Sequence, residues 1–206
     1  MTLAEILRLA PVVPVLIIED VADAVPLARA LVAGGLYALE VTLRTPAALG
    51  CIARIAGEVE GAVVGAGTIL TPEHRQAAAM AGARFGVSPG LLPSDSFEGP
   101  LPMLPGIATA SELMAGLARG HSLFKLFPAN IVGGVGALKA FASPFPGAQF
   151  CPTGGVSLVN ARDYLAQPNV ICVGGSWVAP TDAVRAGDWG RIEAIAREAA
   201  ALSTAP

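Results

Sequence analysis

Charged residues are scarce in this sequence. Asp, Glu, Lys and Arg make up 14% of its 206 residues, and the formal net charge is -3. Lys and Arg are not clustered anywhere along the chain, so it lacks the basic patch with which proteins contact nucleic-acid backbones. The sequence therefore predicts no nucleic-acid partner.

Cysteine and histidine are also rare, with three and two copies. Cys51, Cys151 and Cys172 are odd in number and widely spaced, which fits neither a disulfide framework nor a zinc site. His74 and His121 stand in polar helical and turn segments and are expected to be solvated. Since no His, Asp or Glu cluster has the spacing of metal ligands, we expect no metal and no other cofactor.

An uninterrupted apolar run of membrane-spanning length is missing, although 53% of the residues are hydrophobic. The longest charge-free stretch, residues 140–161, contains three prolines, a glutamine and an asparagine, which a lipid-facing span would not tolerate together. Glu5 and Arg8 interrupt the apolar start, which therefore does not resemble a signal peptide. We expect a cytoplasmic protein without a membrane partner, whose apolar residues are buried in a two-sided sheet or an oligomer.

Short apolar, β-branched runs alternate with alanine-rich stretches, and Gly or Pro marks most junctions. This alternation predicts parallel βα units. The strand candidates are residues 12–17, 38–43, 62–65, 84–87, 101–104, 123–127, 148–151 and 170–173. The helix candidates are residues 21–33, 46–57, 72–81, 109–119, 134–142, 157–166 and 189–202.

Eight βα strands predict a compact (βα)8 TIM barrel, a fold whose chemistry lies at the C-terminal ends of the strands. We expect one domain over residues 1–206, with a short N-terminal helix before the first strand. The outer helix after strand 4 is expected to be reduced, because residues 88–100 are rich in Pro and Gly. The alternative is an open doubly wound sheet, but its usual GxGxxG turn is absent after the first strand.

The second strand candidate ends in ALEVTLRT. With a two-residue period, Glu40, Thr42 and Arg44 point to one side, while Val41 and Leu43 point to the other. Charges inside a barrel are costly unless they pair or bind a ligand. Glu40 and Arg44 are therefore candidate site residues, with a purely structural pair between them as the alternative.

Lysine is the scarcest charged residue type, and one of only two lysines, Lys125, lies between Phe124 and Leu126 in the sixth strand candidate. Burial and a nearby cation such as Arg44 both favour a neutral amine, which can attack a carbonyl carbon. The open alternatives are that Lys125 reaches solvent or only pairs with Glu40.

Glycine pairs follow strand candidates seven and eight, in the strings CPTGGV and CVGGSW. Such pairs expose backbone N–H groups, and barrel enzymes often bind phosphate between these two loops. Thr153 and Ser176 add hydroxyl groups to the same loops. The glycines are Gly154, Gly155, Gly174 and Gly175.

Three further candidates follow neighbouring strands. Thr68, at the end of the string GAGT, is suited to donate to a substrate carboxylate. Pro89 and Phe127 are suited to form an apolar wall. Taken singly, each residue fits a packing role equally well.

Taken in order and with their spacings, eight short strings resemble the 2-keto-3-deoxy-6-phosphogluconate (KDPG) aldolases, a family that includes 4-hydroxy-2-oxoglutarate (KHG) aldolases. The strings are PVVPVL, EVTLRT, VGAGT, SPG, LPGIATASEL, FKLFPA, FCPTGG and VGGSW. The resemblance implies a homotrimeric barrel and a metal-independent class I aldolase, a lyase that splits KDPG into pyruvate and D-glyceraldehyde 3-phosphate in the Entner-Doudoroff pathway. It also implies cleavage of KHG into pyruvate and glyoxylate.

The same resemblance implies a role for each candidate in the chemistry of pyruvate. Lys125 matches the Schiff-base lysine and Glu40 matches the general acid/base. Arg44 and Thr68 match the groups that hold the carboxylate. Pro89 and Phe127 match the wall beside the pyruvyl methyl group.

The remaining matches concern the rest of the substrate. Thr153 matches a hydroxyl contact, and the phosphate region is matched by Gly154, Gly155, Gly174, Gly175 and Ser176. Two features depart from the family: Asn130 stands where many members have Glu, and the segment after Gly90 is shorter. The alternatives are a 2-keto-3-deoxy-6-phosphogalactonate aldolase, or a sugar-phosphate isomerase or binding barrel that does not need Lys125.

Overall fold

A computed structural model describes residues 1–92 and 99–202, which form an α/β fold with parallel strands. The strands are β1 Val12–Leu16, β2 Ala38–Thr42, β3 Val63–Gly67, β4 Gly86–Val87, β5 Met103–Leu104, β6 Gly106–Ile107, β7 Leu123–Leu126, β8 Gln149–Pro152 and β9 Val173–Gly175. The helices are α1 Leu3–Leu7, α2 Val21–Ala33, α3 Ala48–Glu58, α4 Pro72–Met80, α5 Ala110–Ala118, α6 Gly134–Ala142, α7 Ala161–Leu165, α8 Thr181–Ala186 and α9 Trp189–Ala200.

The strands curl into two neighbouring parallel sheets. One has the order β5-β4-β3-β2-β1-β9 and the other has the order β6-β7-β8. Pro105 alone separates β5 from β6 along the chain, and isolated parallel bridges join Phe150 to Val170 and Thr153 to Gly174. Because every pair is parallel, the C-terminal ends of the strands lie along one rim.

Alternate strand residues pack on opposite sides of the curled sheet. Residues such as Leu39 and Val41 belong to the larger apolar cluster with the helices. Their neighbours face the interior, where Val13 and Ala38 pack with Ile6 and Leu7 of α1. The predicted short N-terminal helix is thus confirmed, and it covers the interior near the N-terminal ends of the strands.

Local sequence signals account for several helix starts. The Thr71 hydroxyl accepts a hydrogen bond from the backbone N–H of His74, and Pro72 occupies the first turn of α4. Thr109 caps α5 in the same way, while the side chain of Glu112 accepts from the Thr109 N–H. A capping box of this kind satisfies two backbone donors that a helix leaves unpaired.

The fifth and eighth strand predictions differ most from the structure. The fifth predicted strand, 101–104, is instead two short strands on either side of Pro105, which has no N–H to donate. The eighth was expected at 170–173 but runs over Val173–Gly175, because Gly174 and Gly175 pair with Val13 and Pro14 of β1. The α8 helix was not predicted.

The segment that is expected to form a reduced outer helix after strand 4 falls largely on residues 93–98, which lie outside the described residues. Within the described ranges, no helix combines the length and apolar character that crossing a membrane requires.

Candidate active site

Lys125 of β7 and Glu40 of β2 meet inside the curled sheet. The Nζ atom of Lys125 lies 3.1 Å from Oε1 and 3.5 Å from Oε2 of Glu40. Their side chains are only 7% and 4% exposed, so each charge depends on the other for compensation. The pair places a carboxylate that can exchange protons beside an amine that can act as a nucleophile.

Arg44 lies in the exposed turn that follows β2 rather than in the strand itself. The structural pair considered between Glu40 and Arg44 is not formed, because the Glu40 carboxylate binds Lys125 instead. Within residues 1–92 and 99–202 no ion pair involves Arg44. Its guanidinium group is therefore open to a ligand anion at the rim.

A cavity of about 200 Å³ opens at this rim. It brings together eight of the predicted residues: Arg44, Phe127, Thr153, Gly154, Gly155, Gly174, Gly175 and Ser176. Lys125 lies two residues before Phe127 on the same side of the strand, with Nζ 5.3 Å from the Phe127 ring centroid. The buried ion pair thus lies below the cavity wall, because Lys125 is the inward-facing residue that precedes Phe127 along the chain.

The glycine loops present unpaired donors to the cavity. Gly154 and Gly155 have φ angles of +96° and +73°, a left-handed conformation that glycine adopts most readily. In the described part of the chain, the backbone N–H groups of Gly154, Gly155 and Ser176 donate no hydrogen bond. Neighbouring unpaired N–H groups form an anion-binding concavity.

Thr68 and Pro89 are not among the residues that line the cavity, yet both lie near the ion pair. Thr68 has φ +59°, a strained conformation for a β-branched residue that costs about 1–3 kcal/mol. It follows Gly67, whose Cα faces the Glu40 side chain. Pro89 packs its carbonyl group against Gly106, which is paired in register with Lys125.

Other residues of the site were missed from the sequence. Val15, Ile17 and Val156 line the cavity. Val15 and Ile17 share a two-residue period with the inward Val13, so strand alternation alone could have identified them. For Val156, one residue after the Gly154–Gly155 pair, only its place in the loop offered a signal.

The two histidines lie outside the cavity lining. The expectation that both are solvated is wrong for His121, which is partly buried and packs edge-on against Phe124 at 6.3 Å between ring centroids. Burial lowers the pKa of His121, and Arg119 and Arg75 lower it further. Across the described residues, no three His, Cys, Asp or Glu side chains are grouped so that they could hold a metal ion.

The three cysteines are buried and free. Burial raises the pKa of Cys51 to about 11. The pKa of Cys172 is also raised, first by a hydrogen bond with Cys151 and then by burial. A thiol below its pKa is protonated and is a poor nucleophile.

We therefore expect the native protein to resist thiol labelling at pH 8. Ellman's reagent should react with far less than one equivalent of thiol within minutes, and with all three cysteines once guanidinium unfolds the chain. The absorbance of the released thiolate measures both. Rapid labelling of the folded protein would contradict the burial of the three thiols.

Known proteins resemble this chain over nearly its whole length. The family model for KDPG and KHG aldolase matches residues 3–195. The 2-dehydro-3-deoxy-phosphogluconate aldolase of Dickeya dadantii is 53% identical over 204 residues, which cover 98% of this chain and 96% of that protein.

Solved structures match over similar lengths. The KDPG aldolase of Legionella pneumophila, with pyruvate captured at low pH as a covalent carbinolamine intermediate, superposes with a TM-score of 0.93 at 41% identity, covering 96% of this chain and 98% of that one. The Zymomonas mobilis enzyme with 3-phosphoglycerate has a TM-score of 0.91 at 50% identity, covering 98% and 96%.

Proposed function

This chain belongs to the KDPG and KHG aldolase family, and we propose how its residues carry out the reaction of this lyase, the cleavage of KDPG to pyruvate and D-glyceraldehyde 3-phosphate. Lys125 is the Schiff-base lysine and Glu40 is the general acid/base. One observation carries the assignment: the buried Nζ of Lys125 lies 3.1 Å from the Glu40 carboxylate, directly below the cavity. The carbinolamine in the Legionella structure supports the same route.

The reaction begins with attack on the C2 ketone. Glu40 accepts a proton from the Lys125 ammonium group, and the neutral Nζ then forms the N–C2 bond of a carbinolamine. Glu40 returns a proton to the C2 hydroxyl group, which leaves as water while the C=N bond forms. The 3.1 Å separation between Nζ of Lys125 and Oε1 of Glu40 allows the first of these transfers without movement of either strand.

Carbon–carbon cleavage uses the protonated imine as an electron sink. Removal of the proton from the C4 hydroxyl group breaks C3–C4 and releases glyceraldehyde 3-phosphate, and the electron pair forms the C2–C3 double bond of an enamine on Lys125. Protonation at C3 and hydrolysis of the imine then release pyruvate. The carboxylate of Glu40, which contacts Lys125, is placed to move these protons.

The remaining site residues hold the substrate at its two ends. Arg44 and Thr68 bind the carboxylate, and Pro89 and Phe127 pack against the methyl carbon of the pyruvyl group. Thr153 contacts a substrate hydroxyl group. The phosphate is received by Gly154, Gly155, Gly174, Gly175 and Ser176. The unpaired N–H groups of these loops and the phosphorylated ligand of the Zymomonas structure support this orientation.

We expect Arg44→Ala to weaken substrate binding. Loss of a charge-assisted contact to the carboxylate is worth roughly 1.5–3 kcal/mol, which corresponds to about a 10- to 150-fold fall in kcat/KM, carried mainly by KM. Arg162→Ala is the matched control, since Arg162 is exposed on α7. Equal kinetics of the two variants would remove Arg44 from the proposed site.

The fold proposal is a closed (βα)8 barrel within one domain over residues 1–206. β5 and β6 then count as two halves of the fifth strand, interrupted at Pro105. The bridges Phe150–Val170 and Thr153–Gly174 support closure between β8 and β9. They also align the two glycine loops that the phosphate site needs.

We further propose that the protein is a cytoplasmic homotrimer. Large apolar side chains such as Met80 and Ile131 are 79% and 78% exposed, which is consistent with a subunit interface on an oligomer. Native mass spectrometry measures the subunit number directly. The phosphorylated sugar acid and pyruvate are the expected small-molecule partners.

The experiment that tests the function is reductive trapping. Incubation with pyruvate and borohydride should attach a reduced pyruvyl group to Lys125, as mapped by peptide mass spectrometry; folded protein without the adduct would contradict the Schiff base. Rates with KHG and with the two C4 epimers of the phosphorylated substrate then define the preference. An isomerase would retain full activity without Lys125.

A further inference from the structure

Gly67 lies on β3 directly beside the Glu40 side chain. It pairs with Thr42 of β2 in the parallel register. A Cβ atom added to Gly67 would overlap Oε1 of Glu40 and lie 2.7 Å from its Cγ and 2.8 Å from its Cδ. These are the three nearest atoms, so the space that a side chain at position 67 would need is filled by Glu40.

The backbone itself does not require glycine here. Gly67 is not among the described glycines with positive φ, and it lies within a regular parallel pairing that any L-residue can adopt. Glycine in a strand usually weakens the strand and marks a close approach of another group. The close approach at Gly67 is made by a carboxylate that the proposed reaction uses.

We propose that Gly67 is a positioning residue for Glu40, and this inference rests on the proposed roles of Glu40 and Lys125. The missing side chain leaves a socket in which the carboxylate sits 3.1 Å from Nζ of Lys125. Glu40 is 3% exposed, so it has little free volume into which to retreat. A methyl group at position 67 displaces the carboxylate, and small displacements of a proton-transfer group are costly in rate.

Gly65 provides a matched comparison on the same strand and the same face. A Cβ atom there would meet the ring of Phe85, with its three nearest atoms all in that ring. Phe85 belongs to the interior apolar cluster. Gly65→Ala therefore disturbs packing, whereas Gly67→Ala disturbs the ion pair.

Kinetics separate these two effects. We expect Gly67→Ala to lower kcat by roughly 100-fold and to change KM less than about threefold, because Arg44 and the glycine loops are untouched. Glu40→Asp is one methylene shorter and clears the added methyl group. The double variant Gly67→Ala/Glu40→Asp should therefore be faster than the product of the two single effects predicts. Multiplicative losses, or a Gly67→Ala kcat within twofold of the native value, would overturn the proposal.

Thermal stability tests the steric relation without any assumption about the reaction. Gly67→Ala should lower Tm by about 3–10 °C in the native background and by less than about 2 °C in the Glu40→Ala background, where the clashing side chain is gone. Gly65→Ala should lower Tm equally in both backgrounds. If Gly67→Ala also lowers Tm equally in both backgrounds, the proposed steric relation between Gly67 and Glu40 is refuted. This holds even if borohydride trapping succeeds. If trapping fails while the stability cycle couples the two positions, the proposed function fails and the steric relation stands.

Discussion

Lys125→Arg is expected to abolish cleavage while leaving the fold intact. Arginine keeps a positive charge beside Glu40, so the buried ion pair is preserved. A guanidinium group stays protonated at all usable pH values and has no nucleophilic amine. Without covalent catalysis kcat/KM should fall by at least about 10⁴-fold, as measured by coupling pyruvate release to lactate dehydrogenase.

The other lysine of the chain gives the control. Lys139 lies on α6, away from the cavity. The Lys139→Arg variant should therefore stay within about twofold of the native rate. Borohydride trapping should modify Lys125 in the native protein and in Lys139→Arg, and should modify no lysine in Lys125→Arg. A pyruvyl adduct on Lys139, or turnover by folded Lys125→Arg, would rule out the proposed nucleophile.

How far the sequence could predict this site is clearest at Glu40. The two-residue period of ALEVTLRT correctly placed its side chain in the interior. The same pattern left the partner undecided between Arg44 and Lys125. The actual partner is 85 residues away, and it is fixed by which strands curl round to face each other. Local periodicity carries no information on that geometry.

The glycines show a different limit. The paired glycines that follow β8 and end β9 could be proposed as an anion site because their position in a barrel is informative. For Gly67, the string VGAGT predicts only a position near the end of a strand. Its role depends on a side chain from the neighbouring strand, and a sequence does not record which atoms fill an empty position. The positive φ of Thr68 is hidden for the same reason, since threonine rarely adopts it.

Pro105 illustrates how strand boundaries escaped prediction. The apolar run 101–104 suggested one strand, but the pairing changes partners across Pro105, from β4 on one side to β7 on the other. The Pro105 carbonyl still accepts a hydrogen bond of 2.8 Å from the Lys125 N–H. The proline thus ends one pairing and helps to fix the backbone of Lys125. Propensity indicates that a strand is present, whereas pairing sets its ends.

Glu40→Gln should have the second-largest effect. Glutamine has nearly the same shape and its carbonyl can still accept a hydrogen bond from Lys125, so substrate binding and KM should change little. It cannot accept or release a proton under the reaction conditions. Loss of general acid/base catalysis should lower kcat by about 10²–10⁴-fold. All the proton-transfer steps should slow together.

Proton exchange distinguishes this loss from a structural one. Native protein should exchange the methyl protons of pyruvate with deuterium through the enamine, as followed by NMR, and Glu40→Gln should exchange them about as slowly as it cleaves substrate. Glu60 is an exposed carboxylate between α3 and β3. The Glu60→Gln variant is the control and should match the native rates. If Glu40→Gln exchanges pyruvate protons at the native rate, another group moves them. The 3.1 Å contact would then serve only to neutralise Lys125.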